Sequence, residues 1–117
     1  FGLRRMMKEL NRALELKPDH LDALSARGTL LVRLPSMLGG DPEKGEQLLR
    51  HVIHEVPGAV NARISLAKSY CKRGRHLDAV SLATEALTLA KAQQLDDFIP
   101  EASRVVAQLH AVGNKGN

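Results

Sequence analysis

His51 and His54, followed at once by Glu55, are the first side chains to weigh as a metal or hydrolytic site. A zincin helix places its histidines at i and i+4, with a Glu directly after the first, so that both imidazoles meet one ion. Here the spacing is three, and both histidines fall away from the stripe of Leu49, Val52, Ile53 and Val56, which predicts solvated side chains. His20 and His76 stand at expected helix starts, beside Asp19 and near Asp78, where capping and local hydrogen bonding are the ordinary roles. Gly39-Gly40-Asp41 precedes another helix start, where free N–H groups can hold a phosphate. It lacks the Gly-x-x-x-x-Gly-Lys-Ser/Thr spacing, and Asp41 would repel an anion, so a turn is expected there. Ser25, Ser65 and Cys71 have no histidine on their own helices to act as a base. The one cysteine also rules out an intrachain disulfide and a Cys-based metal site. The expectation is a non-enzymatic protein with no metal and no cofactor.

The remaining chemistry is charge. Lys68, Lys72, Arg73 and Arg75 cluster within one stretch, and the formal net charge is +4. A basic balance speeds encounter with acidic partners. It does not point to nucleic acid, because aromatic residues are only 3% of the chain with no Trp, which leaves no base-stacking platform and no groove-reading motif.

These side chains have to be positioned by helices. Apolar positions recur at three and four residues throughout, and the core must come from Leu, Val, Ile, Ala and Met, a mixture suited to close helix packing. Six helices are predicted. The first spans 3–16, through Leu3, Met6, Met7, Leu10 and Leu14, and stops before Pro18. The second follows Asp19 as its N-cap and runs to Arg33. Residues 34–40 break the pattern with Pro35 and a Gly pair. Asp41-Pro42 then starts a third helix, whose Leu48, Leu49, Val52, Ile53 and Val56 are expected to be buried. The fourth spans 59–73 and stops at Gly74; the fifth spans 76–93 through Leu77, Val80 and Leu82; the sixth spans 97–112 and frays over 113–117. No run reaches the ~18 apolar residues of a membrane span, and no charged-then-apolar leader opens the chain. The chain begins at Phe1 rather than Met, which leaves room for a leader or further repeats upstream.

The chain also repeats itself. Gly45, Leu49 and Val52 recur as Ala79, Ala83 and Ala86, each pair 34 residues apart. Met6, Leu10, Ala13 and Pro18 match Gly45, Leu49, Val52 and Pro57 at 39, as Gly28 and Leu31 match Ala67 and Tyr70. The surplus of five falls in the 34–40 connection, inside one repeat. A helix pair with this period, and the stretch Leu66-Ala67-x-x-Tyr70-x-x-x-Gly74 followed by Ala79 and Ala86, resembles the tetratricopeptide repeat family over about residues 3–93. Arg63 stands where that family prefers an aromatic, and Lys91 where its closing Pro would be. The stretch from Leu34 to Lys44 is also similar to an insertion in tetratricopeptide-like T components of bacterial TRAP-type transporters.

The resemblance implies an all-α, antiparallel helix-pair solenoid with a right-handed superhelix, forming a single domain over 1–117. Residues 3–18 would be the second half of a repeat, 19–57 a repeat with its insertion at 34–40, 58–93 another repeat, and 96–112 a C-terminal capping helix. It further implies that the first helix of each pair lines a concave groove, placing there Asp22, Ser25, Thr29, Val32 and Arg33 from one repeat and Asn61, Ile64, Ser65, Lys68, Cys71 and Lys72 from the next. Such a groove accepts a peptide or partner helix, and Arg33, Lys68 and Lys72 favour an acidic one. A chaperone C-terminal tail is disfavoured, because Ser25 and Thr29 occupy positions where a Lys and Asn carboxylate clamp would stand. Self-association through an exposed end also fits, as does a soluble location in the cytoplasm or the bacterial periplasm. The alternative function is an accessory periplasmic or envelope subunit of a bacterial transport assembly.

Overall fold

The computed structural model describes residues 2–115, with side chains described through residue 111. Among the described residues the chain is all α-helical apart from its links and one 3-10 turn. The helices are α1 (Gly2–Leu16), α2 (Leu21–Arg33), α3 (Pro42–Glu55), α4 (Val60–Lys72), α5 (His76–Ala92) and α6 (Ile99–Lys115). Helix α6 begins at Ile99, between the expected Asp97 and Pro100, and carries on through Lys115. Gly116 and Asn117 lie outside the described residues, as does the side chain of Val112.

Local chemistry accounts for most of the boundaries. At the start of α3, Asp41 Oδ1 accepts from Lys44 N at 3.2 Å and Pro42 occupies the first turn. Helix α2 is capped by His20 rather than Asp19: its Nδ1 accepts from the Ala23 N–H at 3.2 Å. His76 does not play the same part, since Arg75 takes the cap position and the His76 Nδ1 is buried without a partner among the described residues. Helix α4 ends at Gly74, whose φ of 80° lets the Arg75 N–H reach back to the Tyr70 carbonyl at 2.9 Å. Helix α5 ends in the same closure, with Leu95 N–H on the Ala90 carbonyl at 2.9 Å, but a glutamine, Gln94, supplies the left-handed residue at φ 56°. Residues 36–38 form the 3-10 turn inside the 34–40 connection.

Small residues set how closely the helices approach. A Cβ added at Gly45 would sit 2.6 Å from Val32 Cγ1 and 2.8 Å from the Gly28 carbonyl oxygen, so α2 and α3 cross almost backbone to backbone. The repeat-related Ala67 and Ala79 are fully buried where α4 meets α5. The main core joins Leu24, Leu49, Val52, Leu66, Tyr70 and Leu109, and a second cluster of Val60, Ile64, Ala86, Ala90 and Ala102 lies where α4, α5 and α6 meet. Three of the apolar residues that set the expected helical pattern are exposed instead, Met6 of α1 being 49% exposed. Val56 follows the end of α3 and is exposed, and Leu77, in the first turn of α5, is 89% exposed because no neighbouring helix reaches over that turn.

Each helix packs on the next along the chain, and α2 and α6 each also touch α4. The odd helices α1, α3 and α5 do not touch one another, and α1 packs against α2 alone among the described residues. The extents are 46 by 33 by 24 Å. No helix among the described residues is long and apolar enough to cross a membrane.

Candidate functional site

The even helices enclose a cleft of about 500 Å³. Helix α2 supplies Thr29 and Arg33, α4 supplies Asn61, Ser65, Lys68 and Lys72, and α6 supplies Glu101, Val105 and Leu109. These residues meet because i and i+4 positions stand one above the other on a helix: Thr29 and Arg33 on α2, and Asn61, Ser65 and Lys68 with Lys72 on α4. The Thr29 hydroxyl donates to Ser65 Oγ at 3.1 Å and ties the two walls together. Val105 and Leu109 make an apolar floor, which is the common design of a ligand groove with a few polar groups above it.

Eight of the expected groove residues, Val32 and Cys71 among them, therefore come together in one cleft. Asp22 and Ser25 line an adjoining depression of about 400 Å³ further along α2, and Asn61 borders both. Ile64 does not join them. It is 2% exposed, because α6 covers that flank of α4 and takes Ile64 into the cluster with Val60, Ala86 and Ala102. The contribution of α6 was not foreseen, since a capping helix was expected to close the fold rather than furnish a wall.

That pair changes the electrostatics of the cleft. The Lys68 ammonium donates to the Glu101 carboxylate, so its charge is already answered from within the chain. Arg33 and Lys72 are exposed and have no carboxylate within 4.0 Å among the described residues. The cationic face of the cleft is thus these two side chains, with Lys68 and Glu101 forming a neutral bridge beside them.

Arg73 and Arg75, the other half of the basic cluster, serve a different purpose. Glu46 of α3 is 2% exposed, and its carboxylate accepts from Ser69 Oγ at 2.6 Å and from Arg73 Nη1 at 2.7 Å. Arg50, one turn along α3, donates to the Tyr70 hydroxyl at 2.9 Å, and Arg75 lies over the Tyr70 ring at 4.1 Å. Arg75 also donates to Asp78 at 2.8 Å, and this hydrogen bond raises the pKa of its guanidinium above the ordinary value. The Glu46 and Arg50 contacts fasten α3 to α4, and Arg75 joins the end of α4 to the start of α5. Arg63 is 8% exposed and bonds to Glu85 at 3.2 Å and to the Ala59 carbonyl at 3.2 Å, linking α4 to α5. His51 and His54 are exposed on α3, and no three of the described His, Cys, Asp and Glu side chains converge on a point where an ion would sit.

Compared with known proteins, the chain matches no family model, no curated protein and no solved structure.

Proposed function

We propose that this protein is a non-catalytic binding scaffold of the tetratricopeptide type, and that it takes an extended acidic peptide or partner helix in the cleft lined by α2, α4 and α6. The observation that carries the reading is the convergence of Thr29, Arg33, Asn61, Ser65, Lys68 and Lys72 on a single cleft with an apolar floor. The pattern of helix contacts supports a helix-pair solenoid, since lateral contact passes only between even helices while the odd ones stay apart. The repeat-related small residues at Gly28, Gly45, Ala67 and Ala79 support it further, because all four sit where paired helices cross.

In this reading the polar side chains hold the guest backbone, Val105 and Leu109 receive an apolar side chain, and Arg33 and Lys72 receive a carboxylate. Glu101 acts as a resident carboxylate that keeps Lys68 out of use. Fluorescence anisotropy with labelled acidic and basic peptides, at low and high salt, tests this. Acidic peptides should bind more tightly, and the preference should shrink as salt rises. Lys72→Glu should abolish the preference, whereas Glu101→Gln should strengthen acidic binding about three- to tenfold, the range expected for releasing one charge in a half-exposed site. Equal binding of both peptides, or no response to either substitution, would refute the proposal.

A further inference from the structure

The cleft assigned above to a peptide continues into the hollow of about 400 Å³ further along α2, and the two ends of the joined groove differ in charge. We propose that the groove selects a charge pattern: an extended guest places an acidic side chain at Arg33 and Lys72, and a lysine or arginine about five residues away at Asp22. The inference rests on the peptide-binding reading and adds to it a second guest residue and its spacing. The first ground is position. Arg33 and Lys72 stand 39 residues apart in the chain, as do Asp22 and Asn61, and this is the offset that relates the two repeats. Asp22 and Arg33 are 11 residues apart on α2, about 16 Å along the axis at about 1.5 Å per residue. An extended guest covers that distance in about five residues at about 3.3 Å each. Asn61 is exposed and borders both hollows, and its amide offers a donor and an acceptor. These suit the backbone of an extended chain, whose groups are free, better than that of a helix, whose groups pair with one another.

The second ground is the chemistry of the hollow. Its lining is mostly apolar, with Val60, Leu95 and Phe98 among its walls, and Asp22 is the one charged side chain in it among the described residues. An apolar trough that ends in a single carboxylate suits lysine or arginine, whose methylenes lie on apolar surface while the cation reaches its partner. Asp22 is exposed and has no cation within 4.0 Å among the described residues. On its outer rim Lys17 and Asp19 offset each other, which leaves the Asp22 charge in excess. At the opposite end Glu101 answers Lys68, so the charges in excess are those of Arg33 and Lys72. An acidic first turn and a basic last turn also suit the dipole of α2, which accounts for the signs of Asp22 and Arg33 but not for an apolar hollow beside Asp22. The hollow takes its walls from α2, α3, α4 and the links that follow α3 and α5, and none from α1.

The probes are short fluorescein-labelled peptides built on one neutral sequence. One carries Glu alone, one carries Glu and Lys five positions apart, and one carries them two apart, each pair being made in both orders. By anisotropy at low salt, the pair at spacing five should bind about three- to fivefold more tightly than Glu alone, in one order or both. Nonspecific attraction works the other way, since the formal net charge of the chain is +4 and the added lysine makes the peptide less acidic. Spacing two should give no gain. Asp22→Asn should erase the gain and leave the Glu peptide unchanged, with circular dichroism unaltered because His20 rather than Asp22 caps α2. Asp22→Lys should transfer the gain to a peptide with Glu at both positions. If the Glu peptide binds and Lys72→Glu weakens it, yet the lysine adds nothing at spacing five, the charge pattern is overturned while the peptide-binding reading stands. A gain that survives Asp22→Asn, or an equal gain at both spacings, would also overturn it. Binding of none of these peptides would overturn both.

Discussion

Glu46 shows what a single side chain does when it departs from its surroundings. It shares a stripe of α3 with Leu49 and Ile53, three and seven residues on, where the helical period calls for an apolar residue. Its carboxylate is admitted because Ser69 and Arg73 donate to it directly and Arg50 stands nearby. Glu46→Gln keeps the volume and removes the charge, so it should lose about 1–3 kcal/mol in urea unfolding, less than for a fully buried pair because the arginines can return to water. Combining it with Arg73→Met should cost less than the sum of the single changes, and strict additivity would show that the two do not act together. Reading the sequence located Arg73 and Arg75 but assigned them to no partner. A charge on an apolar stripe identifies a residue that needs an answer, while the answering residues are 23 and 27 positions away in Ser69 and Arg73.

Helices were the most legible level of this chain, because their signals are local. Pro18, Asp41-Pro42, Pro57 and Gly74 each mark a boundary that the structure keeps within a few residues. The stop of α5 was less visible, since its left-handed residue is Gln94 rather than glycine. An L side chain in that conformation is disfavoured by about 1–2 kcal/mol, part of which glycine returns as chain entropy. Gln94→Gly should therefore raise stability by about 0.5–1 kcal/mol in thermal or urea unfolding. Gly45→Ala makes the opposite case within α3. Alanine is the better helix former by about 1 kcal/mol, yet its Cβ would meet the Gly28 carbonyl oxygen at 2.8 Å, and backbone yields poorly. The expected result is a net loss of about 1–3 kcal/mol, and a gain would show that α2 and α3 are not held at this distance. What the sequence could not show was which flank of α4 the last helix would cover. That choice depends on packing between α4, α5 and α6, and it moved Ile64 from the groove to the core while bringing Glu101 into the groove.

At the scale of the whole molecule, the contact order makes stability uneven. Helix α4 is packed by α2, α3, α5 and α6, whereas among the described residues α1 is held by α2 alone. If each helix is stabilised only by those it touches, opening begins at the ends and reaches α4 last, as in a stacked array with nearest-neighbour coupling. Amide hydrogen exchange should then be fastest along Gly2–Leu16 and slowest over the central turns of Val60–Lys72. Leu109→Ala sharpens the test, because Leu109 of α6 is 2% exposed and its loss should cost about 2–5 kcal/mol. In a stacked molecule that variant should speed exchange in α6 and in the parts of α4 and α5 beneath it, and leave α1 and the Gly28 region of α2 nearly unchanged. A molecule with one all-or-none core would instead lose protection in every helix by the same factor. That uniform result would remove the nearest-neighbour stacking on which the peptide-binding reading of the inner cleft depends.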